Sequence, residues 1–271
     1  MSALPNYKFS DAEGHDFPVL NAANAFEGRE RTEANFGGTL GYGTAKALAA
    51  DELAHVKSIL HRKVATNAAA IDPEHGKLVS GTSIEQYHTV ADRIEHAKMF
   101  SKAGRILSDA DVKAIRETSL FDTVRDMFGD YTLSDEEGVG WEQISFRFVR
   151  PNVAQDVGFL HKDDWFWQYN NWPVPAGKKR AKCWVGLVVD AGRNGLGLVP
   201  ESHTGTFDFD AEQVGNKLAF NPRFNPDDLD IVRFPGPAGQ PVFFNYHTLH
   251  VGSVNKGNLT RVSMEFTILF N

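Results

Sequence analysis

Apolar residues recur every three or four positions through the first half of the chain. After about residue 140 that rhythm gives way to alternation and short continuous apolar runs. Between residues 44 and 70, Leu53, Val56, Leu60 and Val64 line one face of a helix. Three further helices are predicted behind it. Ser83-Ile-Glu-Gln86 and Ser108-Asp-Ala-Asp111 have the form of capping boxes, in which a hydroxyl and a side chain three residues on satisfy the free N–H groups of a helix start. Leu120 to Phe128 keeps helical spacing and stops at Gly129, a residue that ends a helix without a Cβ clash. The runs at 144–149, 183–189, 241–246 and 262–269 have the texture of strands. Turn-rich segments at 170–179, 192–197, 221–230 and 255–258 separate them, with no helical stretch between most of them. Parallel βαβ winding is therefore disfavoured. The expected fold class is α+β, with helices packed on one face of an antiparallel sandwich or barrel. A glycine cluster at Phe36–Thr44 breaks any period. Residues 1–42 are accordingly expected to be a loop-rich N-terminal arm, 43–130 mainly helical support and 140–271 the β-rich core of a single domain.

Composition narrows the class of protein. With 42% hydrophobic and 23% charged residues over 271 positions, the chain has enough apolar side chains for a sizeable core and is not disordered. Its net charge of −7 supplies no basic field for a nucleic-acid backbone or an anionic membrane, so neither is expected as a partner. The single cysteine, Cys183, cannot form an internal disulfide, and its apolar run marks it as a buried, inert thiol. The start, Met1-Ser-Ala-Leu-Pro-Asn-Tyr-Lys8, lacks a basic region followed by an apolar one, and no apolar run approaches the ~18 residues of a membrane span. A cytoplasmic protein with a small-molecule substrate is the expectation; oligomeric state is not set by these features.

The densest polar and aromatic cluster is Gly158-Phe-Leu-His161-Lys-Asp163-Asp-Trp165-Phe-Trp167, continuing to Pro173. In extended chain, residues two apart point the same way, so His161 and Asp163 can offer an imidazole nitrogen and a carboxylate oxygen to one point. A histidine from a distant strand would complete a two-His, one-carboxylate triad, which occupies one face of an octahedral Fe(II) and leaves three positions open for a bidentate co-substrate and O2. Asn245-Tyr-His247-Thr-Leu-His250-Val-Gly-Ser253 supplies two candidates. If Lys256-Gly257 centres a two-residue hairpin loop, His250 falls opposite Ser263 and Gly252 opposite Arg261. His250 and Arg261 then share a face, and His247 points to the other side as a supporting or core histidine. A three-residue loop or a bulge would exchange the two histidines. Arg261 lies among half-buried neighbours, and its planar fork suits the distal carboxylate of a dicarboxylic co-substrate whose other end chelates the metal. Arg147 alternates with Ser145 and Val149, and either faces the cavity to hold an acidic substrate group or forms a salt bridge within the sheet. Trp165 and Trp167 are either plain core or a lid over the substrate. Asp164 has the wrong parity for the metal and is expected as a loop carboxylate.

The ordered combination of His161-Lys-Asp163, Cys183-Trp184-Val-Gly-Leu187, Asn194-Gly-Leu-Gly-Leu-Val-Pro200-Glu-Ser-His203, and His250-Val-Gly-Ser253-Val-Asn255 followed by Arg261 resembles the phytanoyl-CoA dioxygenase family. The segment from Leu107-Ser-Asp-Ala-Asp111 to Phe128-Gly-Asp130 is similar to the family's helical stretch before the barrel, so the resemblance covers roughly residues 44 to 270. It implies an Fe(II)- and 2-oxoglutarate-dependent oxygenase built on a double-stranded β-helix, or jelly roll, with helices on its larger sheet and residues 140–271 as the β-helix core. It also implies His161, Asp163 and His250 as iron ligands and Arg261 as the anchor of 2-oxoglutarate. Trp184, Ser253 and Gln143 become neighbours of the co-substrate, although Ser253 lies three residues after His250, where the family usually spaces this serine more tightly. His203 becomes a structural turn. The reaction implied is hydroxylation of a small polar metabolite using O2, with release of succinate and CO2. Asp163 is a carboxylate rather than Gly or Ala, so no position is vacated for a halide. The rival expectation is a cupin-type metal-binding jelly roll with an isomerase or ligand-binding role independent of 2-oxoglutarate, which would have no use for Arg261.

Overall fold

The computed structural model describes residues 7–28, 30–214 and 217–271. The helices are α1 (Ala50–Ile71), α2 (Pro73–Ser80), α3 (His96–Met99), α4 (Asp109–Ile115), α5 (Ser119–Phe128) and α6 (Asp163–Asn170). The strands are β1 (Tyr42–Thr44), β2 (Tyr131–Leu133), β3 (Ser145–Val149), β4 (Lys179–Val188), β5 (Leu196–Leu198), β6 (Phe209–Val214), β7 (Lys217–Pro222), β8 (Val232–Arg233), β9 (Pro241–Asn245), β10 (His250–Gly252) and β11 (Arg261–Phe270). Short 3-10 turns fill several of the links. Helix and antiparallel sheet are thus mixed, in the α+β manner expected from the change of rhythm near residue 140. Among the described residues, no helix is long and apolar enough to cross a membrane.

The larger sheet runs β1-β9-β4-β11-β2, with β3 also paired to β11. A smaller sheet runs β10-β5-β8, and β6 and β7 form a separate hairpin. All these strand pairs are antiparallel. Because strand side chains alternate, each central strand of the larger sheet serves two environments. Val262, Met264, Phe266 and Ile268 of β11, with Ala181, Cys183 and Val185 of β4, belong to the main apolar cluster, which also takes Val56, Leu60 and Val64 of α1 and Leu120, Phe121 and Val124 of α5. The opposite face of β4 carries Lys182, Trp184 and Gly186, in register with Thr267, Glu265 and Ser263 of β11. Trp184, Val242 and Phe244 there pack with Leu196 and Leu198 of the smaller sheet, so the two sheets share a buried layer. Cys183 is buried, as its apolar run implied.

Local chemistry accounts for where several elements begin and end. Ser108 caps α4, its hydroxyl accepting from Asp111 N at 3.2 Å. Gly129 ends α5 at φ 69°, and its N–H donates to Arg125 O. The first helix starts at Ala50, not near 44, because Tyr42–Thr44 is drawn into the sheet as β1 against β9. The capping box expected at Ser83 does not form. A 3-10 turn, Ile84–Thr89, follows without a side-chain cap, while α2 starts on an Asp72 cap with Pro73 in its first turn. The N-terminal arm is packed rather than loose: Phe26 and Phe36 touch Phe128, with ring centroids 5.8 and 5.0 Å away.

Two expectations about the second half are corrected. Residues 163–170, read as extended or loop, form α6, because Asp163 and Asp164 occupy the first turn of a helix whose Trp165 and Trp167 face buried surroundings. The hairpin centred on Lys256-Gly257 does not exist. β10 pairs with β5 and β11 with β2, β3 and β4, so residues 253–260 carry the chain from the smaller sheet to the larger one. Asn255 anchors that crossing. Its Nδ2 donates to Val149 O (2.9 Å) and Leu259 O (2.7 Å), and its Oδ1 accepts from Asn194 Nδ2 (2.8 Å) and Gly257 N (2.9 Å).

Phe266 is buried and stacks on Phe121 of α5 at 5.1 Å. Phe266→Ala leaves a cavity between sheet and helices and is expected to lower stability by about 3–5 kcal/mol in urea unfolding. Metal-binding stoichiometry should be unchanged, because Phe266 lies on the face of β11 that packs on the helices.

Candidate metal centre

His161 and His250 are joined through their backbones. His161 N donates to His250 O at 3.1 Å and His250 N to His161 O at 2.9 Å, an isolated antiparallel bridge that extends the smaller sheet. A directly opposed pair places side chains on the same face, and the two imidazole centroids are 4.3 Å apart. Each ring is oriented by its own chain. His161 Nδ1 lies 2.6 Å from Phe159 O, and His250 Nδ1 lies 3.0 Å from Thr248 O. A carbonyl only accepts, so both Nδ1 atoms carry the proton and both Nε2 atoms present a lone pair.

Asp163 closes the triad from the first turn of α6, where the partial positive charge of the helix start favours a carboxylate. Its Oδ1 is 3.8 Å from His161 Nε2, and its Oδ2 is 3.8 Å from His250 Nε2. One ligand atom from each of the three residues lies within 4.8 Å of the others. Among the described residues, Asp163 Oδ2 is buried without a hydrogen-bond partner. Burial, and then the field of the neighbouring His250, lowers the pKa of His161 to about 4; burial likewise brings His250 to about 4. The same desolvation pushes the Asp163 carboxyl up. Two neutral imidazoles and a carboxylate with a free oxygen, converging on one point, form a donor set suited to a divalent cation with open positions.

Arg261 begins β11 on the inner face and is 2% exposed. Its Nη1 donates to Gly195 O (2.8 Å) and Ser253 O (3.2 Å), while its Nε is buried without a partner. Burial, and then the Arg147 guanidinium, lowers its pKa to about 9. Gly252 lies over it: a Cβ there would come 3.3 Å from Arg261 Nη2, so glycine leaves the guanidinium room. His250 and Arg261 therefore face one interior, although the hairpin from which that was inferred is absent. Ser253 Oγ donates to Gly195 O at 3.2 Å, the carbonyl that Arg261 also uses. Trp184 stands on the inner face between the sheets. Gln143 bridges Glu137 N and Ser145 Oγ, two residues before β3, and shares the parity of Ser145 and Arg147.

The remaining candidates are placed as follows. Arg147 faces inward opposite Ser263 and forms no ion pair among the described residues; its single side-chain hydrogen bond goes to Asp156 O at 3.5 Å. Trp165 turns away, stacking on Phe209 at 4.5 Å beneath the β6–β7 hairpin, and is core. Trp167 packs edge-on to Tyr246 at 5.9 Å, with the Arg180 guanidinium 5.0 Å from its ring. His247 lies apart from the triad, 3.4 Å from Glu33 Oε2 and 3.6 Å from Asp164 Oδ2, at a cleft of about 460 Å³ that Arg180 and His203 also line.

Three charged residues of the interior escaped the sequence reading. Lys182 Nζ is 3.9 Å from Asp163 Oδ1 and 3.3 Å from Thr267 Oγ1. Burial pushes the Glu265 carboxyl up, but Lys182, Arg147 and Arg105 outweigh it and hold the pKa at about 2. Arg105 belongs to a 3-10 turn, Ala103–Arg105, beside β3. A signal existed for two of them: Lys182 and Glu265 fall on the inward parity of strands whose other residues are largely apolar. Arg105 had none.

The sequence profile of the family described as phytanoyl-CoA dioxygenase matches residues 44–263. No curated protein matches the chain. Among solved structures, EctD from S. alaskensis with 2-oxoglutarate and 5-hydroxyectoine aligns with TM-score 0.56 at 15% identity, covering 97% of this chain and 86% of that one. EctD from S. alaskensis with bound Fe aligns with TM-score 0.51 at 13% identity, covering 94% and 83%. At such identities the likeness is one of fold.

One divalent ion per chain is expected to bind, read by calorimetry with Co(II) or Fe(II). Asp163→Ala should weaken it by more than about 100-fold, beyond the range seen when only a residue supporting a ligand is lost.

Proposed function

Because the chain belongs to the phytanoyl-CoA dioxygenase family, we propose that it is an Fe(II)- and 2-oxoglutarate-dependent oxygenase that hydroxylates a small polar metabolite. The observation that carries this reading is the triad itself, with two Nε2 lone pairs and an unpartnered Asp163 oxygen converging on one point. In this reading residues 1–271 are one oxygenase domain, and the facing antiparallel sheets are the halves of a double-stranded β-helix. His161, Asp163 and His250 would hold the iron, which would supply O2 activation coupled to the oxidative decarboxylation of 2-oxoglutarate to succinate and CO2.

The chain's own residues bind, orient and exclude water. Arg261 anchors the distal carboxylate of 2-oxoglutarate, because a buried guanidinium with a free Nε is matched by a carboxylate brought from outside. Trp184, Ser253 and Gln143 flank that co-substrate, and Arg147 faces the substrate. Trp165 and Trp167 serve by seating α6, which carries Asp163. The ring of Phe244, 4.7 Å from that of His250, and that of Phe166, 5.1 Å from that of His161, give the ligands an apolar backing that keeps water from their rear.

The test is an anaerobic titration with Fe(II) and then 2-oxoglutarate, followed by the visible iron-to-ligand charge-transfer band. The band should appear in the wild type, and Arg261→Ala should need at least about tenfold more 2-oxoglutarate, the size of a lost hydrogen bond between charged groups. Iron binding with no band would point instead to a cupin-type centre that does not use 2-oxoglutarate.

A further inference from the structure

The inner wall beside the triad holds charged groups that the chain itself does not pair. Arg105 makes no side-chain hydrogen bond or ion pair among the described residues, and its Nε is buried. Arg147 has only the 3.5 Å contact to Asp156 O. The Asp156 carboxylate is already taken by Arg150, through Nε and Nη2 at 2.8 Å each. Glu265 faces both arginines without contacting either. It keeps accessible surface although it is central in β11, as do Ser145 opposite it and Arg147 two residues further along β3, so packing does not close this part of the inner face. The Arg147 guanidinium, and then burial, lowers the pKa of Arg105 to about 10, against the opposing pull of Glu265 and Glu137.

The acids nearby are largely committed: Glu137 is paired with Lys102, and Glu265, which Lys182 also attracts, is a single carboxylate facing two guanidiniums. Two like-charged guanidiniums facing one space in low dielectric are costly unless an anion joins them. Arg261 lies at the opposite end of the inner face from α6 and is matched to the co-substrate. Arg105 reaches in from the helical segment, beside the edge strand β3.

We infer that the substrate is an organic anion whose carboxylate is held between Arg105 and Arg147, with Arg105 a specificity-determining residue contributed by the helical support. This rests on the oxygenase reading above and narrows its substrate class from polar metabolites to carboxylates. The planar forks of two arginines can take both oxygens of one carboxylate, which a primary amide cannot mimic.

The test uses the full chain loaded with Zn(II), which binds the same donors without turnover, and saturated with 2-oxoglutarate. Saturation-transfer NMR is recorded with acetate and with acetamide as probes. In the wild type acetate should bind more than about tenfold better than acetamide, the effect of a charge-assisted hydrogen bond. Arg105→Gln should abolish that preference and leave the calorimetric affinity for 2-oxoglutarate within about twofold. It should also melt no lower than the wild type, because it removes a repelled and unpaired buried charge. Acetate binding that persists in Arg105→Gln, or that acetamide matches, overturns the inference. So does a variant that loses 2-oxoglutarate affinity, which would put Arg105 in the co-substrate site, or one that melts several degrees lower, which would make it structural. A wild type that fails to bind 2-oxoglutarate would instead overturn the oxygenase reading, and that result is separate from the acetate comparison.

Discussion

The reciprocal backbone hydrogen bonds between His161 and His250 are the constraint on which the rest of the site depends. They couple two segments 89 residues apart in sequence, and in doing so fix the spacing of two imidazoles. Each ring is then turned by a carbonyl two residues earlier in its own chain, Phe159 O for one and Thr248 O for the other. The repeated i−2 contact sets the same tautomer in both rings. Only then does the start of α6 matter: two residues after His161 the chain turns helical, and Asp163 is delivered to the point the two Nε2 atoms already face. The candidate metal centre is thus preorganised by backbone geometry.

Preorganisation of this kind is unfavourable for the fold. An unpartnered buried oxygen on Asp163, an unpartnered Nε on Arg261 and another on Arg105 each lose solvation worth about 1–3 kcal/mol. All three occur around one interior, and a cation at the first and anions at the others would offset them. Buried polar atoms without partners occur elsewhere too, at Tyr42, His75, Trp167, His203 and Arg233, beside groups that are fully matched. Asn255 saturates its amide with four partners, and the Arg150 guanidinium is matched to Asp156. What sets Asp163, Arg261 and Arg105 apart is that three charged groups with an unpartnered buried atom gather around one interior, which makes it the candidate place for bound ions.

How much of this was legible in the chain depends on the range of the interaction. Helices capped by local chemistry, such as α4 at Ser108 and α5 at Gly129, could be seen because their signals lie within a few residues. The switch from helical to strand rhythm near residue 140 was equally visible. The segment 163–170 was misread because its aromatic run, Trp165 to Tyr169, has no helical stripe of its own; tertiary packing against Phe209, Phe220 and Tyr246 decides its conformation. The hairpin at 256–257 failed for a related reason. Strand partners are set by the whole sheet, and a turn-like dipeptide does not reveal that β10 and β11 belong to different sheets. His250 and Arg261 nevertheless face each other because strands in two opposed sheets, like strands in one hairpin, can turn selected faces to a common interior. Arg105 was illegible from any local pattern, since its place is defined by distant residues alone.

The strand β11 shows why fold and site cannot be separated in this chain. Its alternate residues Val262, Met264, Phe266 and Ile268 are claimed by the helices, and that claim sends Arg261, Ser263, Glu265 and Thr267 inward. A slip of one residue would bury Glu265 and Arg261 in the apolar layer against α1 and α5, at a cost of several kcal/mol for each uncompensated charge. The register that positions Arg261 is therefore enforced by the core on the other face. The one irregularity falls where the site needs it: the pairing of β11 with β4 shifts between Val262 and Ser263, while its pairing with β3 runs through without a break. A bulge there adds a residue on β4 beside Arg261 and lets the strands diverge. Across the unbroken pairing with β3, Arg147 opposite Ser263 and Arg261 opposite Val149 stay two positions apart on adjacent strands, close enough that the Arg147 guanidinium helps to lower the pKa of Arg261.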